Sequence, residues 1–124
     1  MTMNIDHSSL LDDLENADAQ ALDAADFGIV RMRTDGTVIA YNAYESRLSG
    51  LSSASVVGKC FFTDVAPCTN NFMVAERFSE PGALDAELNY VFTYRLKPTK
   101  VRLRLLRRAE ATEQYLVTLK PGSP

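Results

Sequence analysis

Tryptophan is absent from this chain of 124 residues, and histidine occurs once, at His7. Cysteine occurs twice, at Cys60 and Cys68. Two cysteines at that spacing, with one distant histidine, match no metal-ligand or redox pattern, so no metal site is expected. In a reducing compartment both cysteines are thiols unless something is attached to them. Long apolar runs are missing too. Nothing approaches the roughly 20 consecutive apolar residues that a membrane span needs. The start, Met1-Thr2-Met3-Asn4-Ile5-Asp6-His7, has neither a basic opening nor an apolar core. It does not read as a secretory leader, and the cytoplasm is the expected compartment. Internal repeats and low-complexity segments are also lacking.

What remains is the composition of one globular domain with one modest hydrophobic core. Its charge is unevenly spread. Met1 to Asp26 holds seven acidic residues and no Lys or Arg, while Arg95 to Lys120 holds eight basic residues against Glu110 and Glu113. Two readings stay open: solvated faces of opposite sign, or an acidic N-terminal segment lying on a basic C-terminal sheet. Nucleic-acid binding is not favoured. The basic residues are not interleaved with aromatics, and the chain as a whole is acidic.

Hydrophobic spacing predicts a helix over residues 8–25, with Leu10, Leu11, Leu14, Ala17, Ala21, Leu22 and Ala25 on one side. Ser8 or Ser9 is placed to cap it. Asn16 to Asp18 is a point where it can divide, because Asn and Asp compete for backbone groups. Phe27 to Arg33 and Thr37 to Tyr41 read as strands joined by a tight Asp35-Gly36 turn. Helical segments follow at 42–48, with Gly50 as a stop, and at 52–57. Lys59 to Val65 leads into a Pro67-Cys68 loop. A helix over 72–78 is expected to present Phe72, Val74, Ala75 and Phe78 on one side, ending at Pro81-Gly82. Three strands close the chain, at 88–97, 101–105 and 113–120. Leu88, Tyr90, Phe92, Tyr94 and Leu96 share one face of the first, and Val101, Leu103 and Leu105 one face of the second.

Three residues stand out, each with a structural alternative. Asn42 and Glu45 match a helix-capping box. Tyr41 ends a strand, where tyrosine commonly packs in a core. Cys68 by itself reads as a small buried hydrophobe.

Their context says more. Tyr41-Asn42-Ala43-Tyr44-Glu45 followed by Gly58-Lys59-Cys60-Phe61-Phe62-Thr63-Asp64-Val65-Ala66-Pro67-Cys68-Thr69 closely resembles the photoactive yellow protein family of bacterial blue-light receptors. The likeness runs from about Leu10 to Lys120, with a short deletion between Asn70 and Leu88. It is most specific over residues 58–69. The resemblance implies an α+β, PAS-type fold: a five-stranded antiparallel sheet with short helices on one face and an N-terminal helical cap on the other. The implied divisions are a cap over 1–26, a PAS core over 27–120 and a disordered tail over 121–124.

The resemblance also implies a site. Cys68 carries p-coumaric acid (4-hydroxycinnamic acid) as a thioester, with Pro67 beside it. Tyr41 and Glu45 hydrogen-bond the phenolate, and Ser49 supports Tyr41 where the family has threonine. Tyr94 and Leu96 fall near the pocket. Leu51 stands where the family usually has arginine. It shields the ring but brings no charge, which bears on photocycle rate and absorption maximum and not on binding. Cys60 is a spectator. Leu116 replaces a usual tryptophan.

Burial raises a carboxyl pKa, by up to about 3–5 units when complete, so Glu45 is expected neutral in the dark. Light then isomerises the chromophore from trans to cis, Glu45 gives up its proton, and the cap loosens. The segment 8–25 is expected to cover the sheet face from which Arg102 and Arg104 project, with leucines holding it and charges orienting it. The expected partner is a downstream signalling protein, with no nucleic acid and no membrane, and the chain a monomer or weak dimer. A PAS-type ligand-sensing or interaction module without coumarate is the competing reading. A thiol enzyme is a weaker one, because His7 would have to fold back onto Cys68.

Overall fold

The computed structural model describes residues 3–93 and 98–121. Two short helices open the chain, α1 (Leu10–Asn16) and α2 (Ala19–Ala24). They are separated where the sequence predicts a break: the Asp18 side chain caps the second helix, accepting from Ala21 N at 2.8 Å. Ser9 stands at the start of α1, but its hydroxyl pairs with His7 Nδ1 and makes no cap bond.

Strands β1 (Gly28–Arg33) and β2 (Val38–Tyr41) form a hairpin through Asp35-Gly36. Gly36 has φ +94°, and a Cβ there would come within 3.1 Å of the Phe62 ring and 3.2 Å of Cys60 Sγ. The backbone angle favours glycine, and a side chain would also make the Phe62 ring and the Cys60 sulfur give way. Helices α3 (Ala43–Ser49) and α4 (Ser53–Val56) follow, and α3 ends at Gly50 with φ 79°. After α5 (Ala75–Ser79) come β3 (Leu84–Phe92), β4 (Thr99–Arg107) and β5 (Glu113–Leu119).

All strand pairs are antiparallel, in the order β2-β1-β5-β4-β3. The last strand therefore lies at the centre of the sheet. This order, with short helices against one face, is the PAS arrangement.

The sheet separates two apolar cores. On the inner face, Val30, Met32, Leu103, Leu105 and Leu116 pack with Phe61, Phe62, Val65 and Phe78 from the helical segments. On the outer face, Ile29, Leu106, Tyr115 and Val117 pack with Leu10, Leu14, Leu22 and Ala25 of the N-terminal segment. The alternation along β1 and β5 assigns neighbouring residues to opposite cores.

The N-terminal segment covers the sheet face from which Arg104 projects, as expected, and leaves Arg104 only 6% exposed. Its guanidinium donates to the carbonyls of Ile5 and His7, both at 2.8 Å, and in a two-pronged pair to Asp85 at 2.9 Å. The N-terminal segment sits over it, so a long charged side chain ends up covered and must be satisfied by backbone carbonyls. The Arg104 hydrogen bonds hold the Asp85 carboxyl below its ordinary value. That contribution is complete at neutral pH and is lost as pH falls through the lowered value. Arg104→Met is expected to cost about 1–3 kcal/mol, because two cap carbonyls lose their donor. It should also flatten the acid limb of stability between the ordinary and lowered Asp values. Urea unfolding as a function of pH checks both.

Two expectations are corrected. Phe72 lies 73% exposed and not on an apolar helical side. The Asn71 side chain accepts from Met73 N and Val74 N, forming a turn that delays the helix to Ala75. Strand β3 begins at Leu84, earlier than the alternation of larger side chains suggests, since Leu84 and Ala86 continue it. Tyr94, Leu96 and the end of the expected tail lie outside the described residues. Among the described residues, no helix is long and apolar enough to cross a membrane.

Candidate functional site

Helix α3 packs on β1, and Asn42 fixes how it starts. Asn42 Oδ1 accepts from Glu45 N at 3.1 Å and from Ile29 N at 2.8 Å. Its Nδ2 donates to Leu22 O at 2.8 Å and Phe27 O at 2.9 Å. One amide thus ties α2, β1 and α3 together and uses all its hydrogen-bonding capacity. The capping box suggested by Asn42 and Glu45 is only half formed. The Asn42 backbone N–H, which the box would offer to Glu45, donates instead to Ile29 O at 3.1 Å.

Glu45 turns inward and is wholly buried, with 0% exposure. Its carboxyl lies against Gly28 of β1: a Cβ on Gly28 would sit 2.1 Å from Glu45 Oε1. Gly28 is a glycine because the carboxyl occupies the space of its side chain. Val30, two residues along the same face, belongs to the inner core.

Tyr41 ends β2 and is buried in that inner core. Its hydroxyl donates to Ser49 Oγ at 2.8 Å, and Ser49 Oγ accepts in turn from Leu51 N at 3.1 Å. The expected Tyr41–Ser49 pair is therefore present. Leu51 is half-buried and packs on the same core as Tyr41.

Cys68 also packs on this core, half-buried. The chain reaches it through an unusual turn. Residues Phe61–Val65 form a single π-helical turn closed by Ala66 N donating to Phe61 O at 2.7 Å. Such turns are rare and frequently mark functional sites. Pro67, exposed, begins the short 3₁₀ turn Pro67–Thr69. The Cys68 carbonyl accepts from Tyr90 Oη and from Asn71 Nδ2, the latter at 3.1 Å. Buried Thr69 donates its hydroxyl to Ala66 O at 2.7 Å. The backbone around Cys68 is thus clamped to β3, while the side chain packs on the core.

Tyr41, Leu51 and Cys68 all belong to the large inner apolar cluster, and Glu45 and Ser49 are buried on α3, which follows Tyr41. Sequence reasoning misses Tyr90 and Asn71 as residues that hold the cysteine loop. Tyr90 is legible only as one member of an alternating strand, and Asn71 carries no signal. His7 belongs to the opposite side of the sheet, where Arg104 holds its carbonyl. A Cys68–His7 thiol pair is not what the fold builds.

A five-stranded antiparallel sheet in this order, with a phenol, a buried carboxyl and a thiol on the side of its inner core, defines a PAS-fold domain. The fold alone is shared with the PAS domain of an HTR-like protein from Haloarcula marismortui, at TM-score 0.65 and 15% identity, over 82% of this chain and 91% of that one. The likeness narrows with the photoactive yellow protein domain of the sensor histidine kinase Ppr from Rhodospirillum centenum. That structure matches at TM-score 0.78 and 32% identity, over 86% of this chain and 96% of the other. The photoactive yellow protein of Rhodothalassium salexigens is 43% identical over 117 residues, covering 88% of this chain and 92% of the relative. No protein-family model matches. The chain belongs to the photoactive yellow protein family.

Proposed function

We propose that this chain is a cytoplasmic blue-light photoreceptor, a receptor and not an enzyme, that holds p-coumaric acid as a thioester on Cys68 and signals to a downstream protein. The observation that carries this reading is the Glu45 carboxyl, completely buried against Gly28 and not turned back to its own helix start. A carboxyl taken out of water favours its neutral form and can serve as a stored proton.

The residues fit the group. A thiol and a phenol pack on one apolar cluster, which suits a flat aromatic acid anchored at one end and hydrogen-bonded at the other. When bound, p-coumaric acid supplies a double bond that isomerises under blue light and a phenolate oxygen that accepts a proton. Cys68, as thiolate, displaces the leaving group of an activated p-coumaroyl ester. Tyr41 and neutral Glu45 donate to the phenolate oxygen. Ser49 can turn its hydroxyl proton toward Tyr41 as Tyr41 turns its own away. Leu51 keeps water out without adding charge. On illumination Glu45 releases its proton and becomes a buried carboxylate in apolar surroundings, a state the fold relieves by loosening.

The test is infrared difference spectroscopy on protein reconstituted with activated p-coumarate. A protonated-carboxyl band should be lost on illumination, and Glu45→Gln should remove that change and red-shift the dark absorption. A band that persists in Glu45→Gln means a different donor. Failure to gain a yellow adduct at all favours a PAS module that does not use coumarate.

A further inference from the structure

Thr118 is a buried polar residue that the site described above does not use. It lies on β5, opposite Gly28 of β1 on one side and Leu103 of β4 on the other. Its neighbours Tyr115, Leu116, Val117 and Leu119 carry largely apolar side chains. Thr118 is 0% exposed, and its hydroxyl has no hydrogen-bond partner among the described residues. A hydroxyl left so in a core is costly, and valine would fill the same volume without that cost.

The position of the hydroxyl suggests its purpose. A Cβ on Gly28 would lie 2.1 Å from Glu45 Oε1 and 3.2 Å from Thr118 Cβ. The glutamate carboxyl therefore occupies the space left by the missing Gly28 side chain, and the Thr118 side chain borders the same space. Rotation about a single Thr118 bond re-aims the hydroxyl within that space without moving the strand.

We propose that the Thr118 hydroxyl is a positioning partner of the Glu45 carboxyl, donating to its carbonyl oxygen when neutral and to the carboxylate once the proton has left. A hydrogen bond to an ionised acceptor is stronger than one to a neutral acceptor. Thr118 thus lowers the proton affinity of Glu45 and favours release. The inference rests on reading Glu45 as the proton donor of the site.

Other titratable or charged groups stand nearby. Tyr41 is at the end of β2. On α2, Asp23 accepts from Ala43 N at 2.9 Å at the surface. On α3 itself, Tyr44 Oη accepts from Lys120 N at 3.1 Å, and Arg47 is on the exposed side. At the Gly28–Thr118 pair, β1 and β5 present no ionisable group.

The experiment titrates Glu45 in the chromophore-free chain by ¹³C NMR of its Cδ, in wild type, Thr118→Val and Thr118→Ser. Valine keeps the shape and removes the hydroxyl; serine keeps the hydroxyl. The midpoint should rise by about one pH unit in Thr118→Val, a tenfold change in proton affinity, and return in Thr118→Ser. An unchanged midpoint in Thr118→Val overturns the proposal, and so does a shift that serine fails to restore. In reconstituted protein the carboxyl stretch should move to higher frequency in Thr118→Val alone. The two ideas fail separately. A shifted midpoint without a light-driven carboxyl change supports the Thr118–Glu45 pair and sinks the donor reading. A light-driven change at Glu45 with an unchanged midpoint does the reverse.

Discussion

Cys68→Ala is expected to abolish covalent uptake of p-coumarate entirely. Intact mass after incubation with activated p-coumarate should stay at that of the unmodified chain, and no yellow band should appear. Cys60→Ala should label as fully as wild type. The two thiols differ in setting, not in chemistry. Cys68 sits on a turn whose backbone is held to β3 by Tyr90 and Asn71, with its side chain against the inner core. Cys60 lies beside the β1–β2 hairpin, its N–H donating to Asp64 Oδ2 at 3.3 Å and its sulfur close to Gly36. Both sulfurs border the inner apolar cluster that also holds Tyr41 and Leu51, so the clamped turn is what sets Cys68 apart. Labelling found at Cys60 would sink the assignment.

Removing residues 1–25 should have the second large effect, on stability and on recovery. The N-terminal helices cover Phe27, Ile29, Leu106, Tyr115 and Val117, all buried. Fully burying such a side chain contributes about 1.5–3 kcal/mol, so uncovering even part of this face outweighs the surface ion pairs. Arg108 to Asp12 and Glu15, and Arg102 to Asp6, are exposed or half-exposed pairs of that weaker kind. Deletion is expected to lower the melting midpoint by about 10 °C or more. The Cys68 adduct and its colour should remain, because the inner core contains no residue of the cap. Dark recovery should slow.

In the intact chain, hydrogen exchange across α1 and α2 should quicken under light. Asn42 supplies the physical route. It holds the Glu45 N–H with one end and the Leu22 and Phe27 carbonyls with the other. A displacement of Glu45 therefore pulls on the group that anchors α2. Equal exchange in light and dark would show that the cap is not the moving part.

Much of the architecture is legible in the amino-acid sequence. Period-2 and period-3.6 spacing places the strands and most helices, since side-chain burial imposes those periods locally. Asp35-Gly36 and Gly50 mark a turn and a helix end, because positive φ is a local requirement. Tyr41, Glu45 and Cys68 are legible as a set only through their shared context. Where expectation and structure part, the cause is a hydrogen bond that residue spacing does not encode. Phe72 faces solvent because the Asn71 side chain turns the chain there. Arg104 reads as a charge on the face that the cap covers, but the carbonyls of Ile5 and His7 that receive it are not written in the spacing.

The sequence by itself therefore determined the elements, the alternation that gives the sheet two apolar faces, and the identity of the thiol, phenol and carboxyl. Those depend on residue type and short-range spacing. Only the tertiary structure decided that Glu45 turns inward and not onto its own helix start. That choice depends on Gly28, seventeen positions earlier, leaving room for a carboxyl, and on β5 bringing Thr118 to the same space. Sequence spacing carries no record of such a meeting, because register across a sheet is settled by the packing of both faces at once.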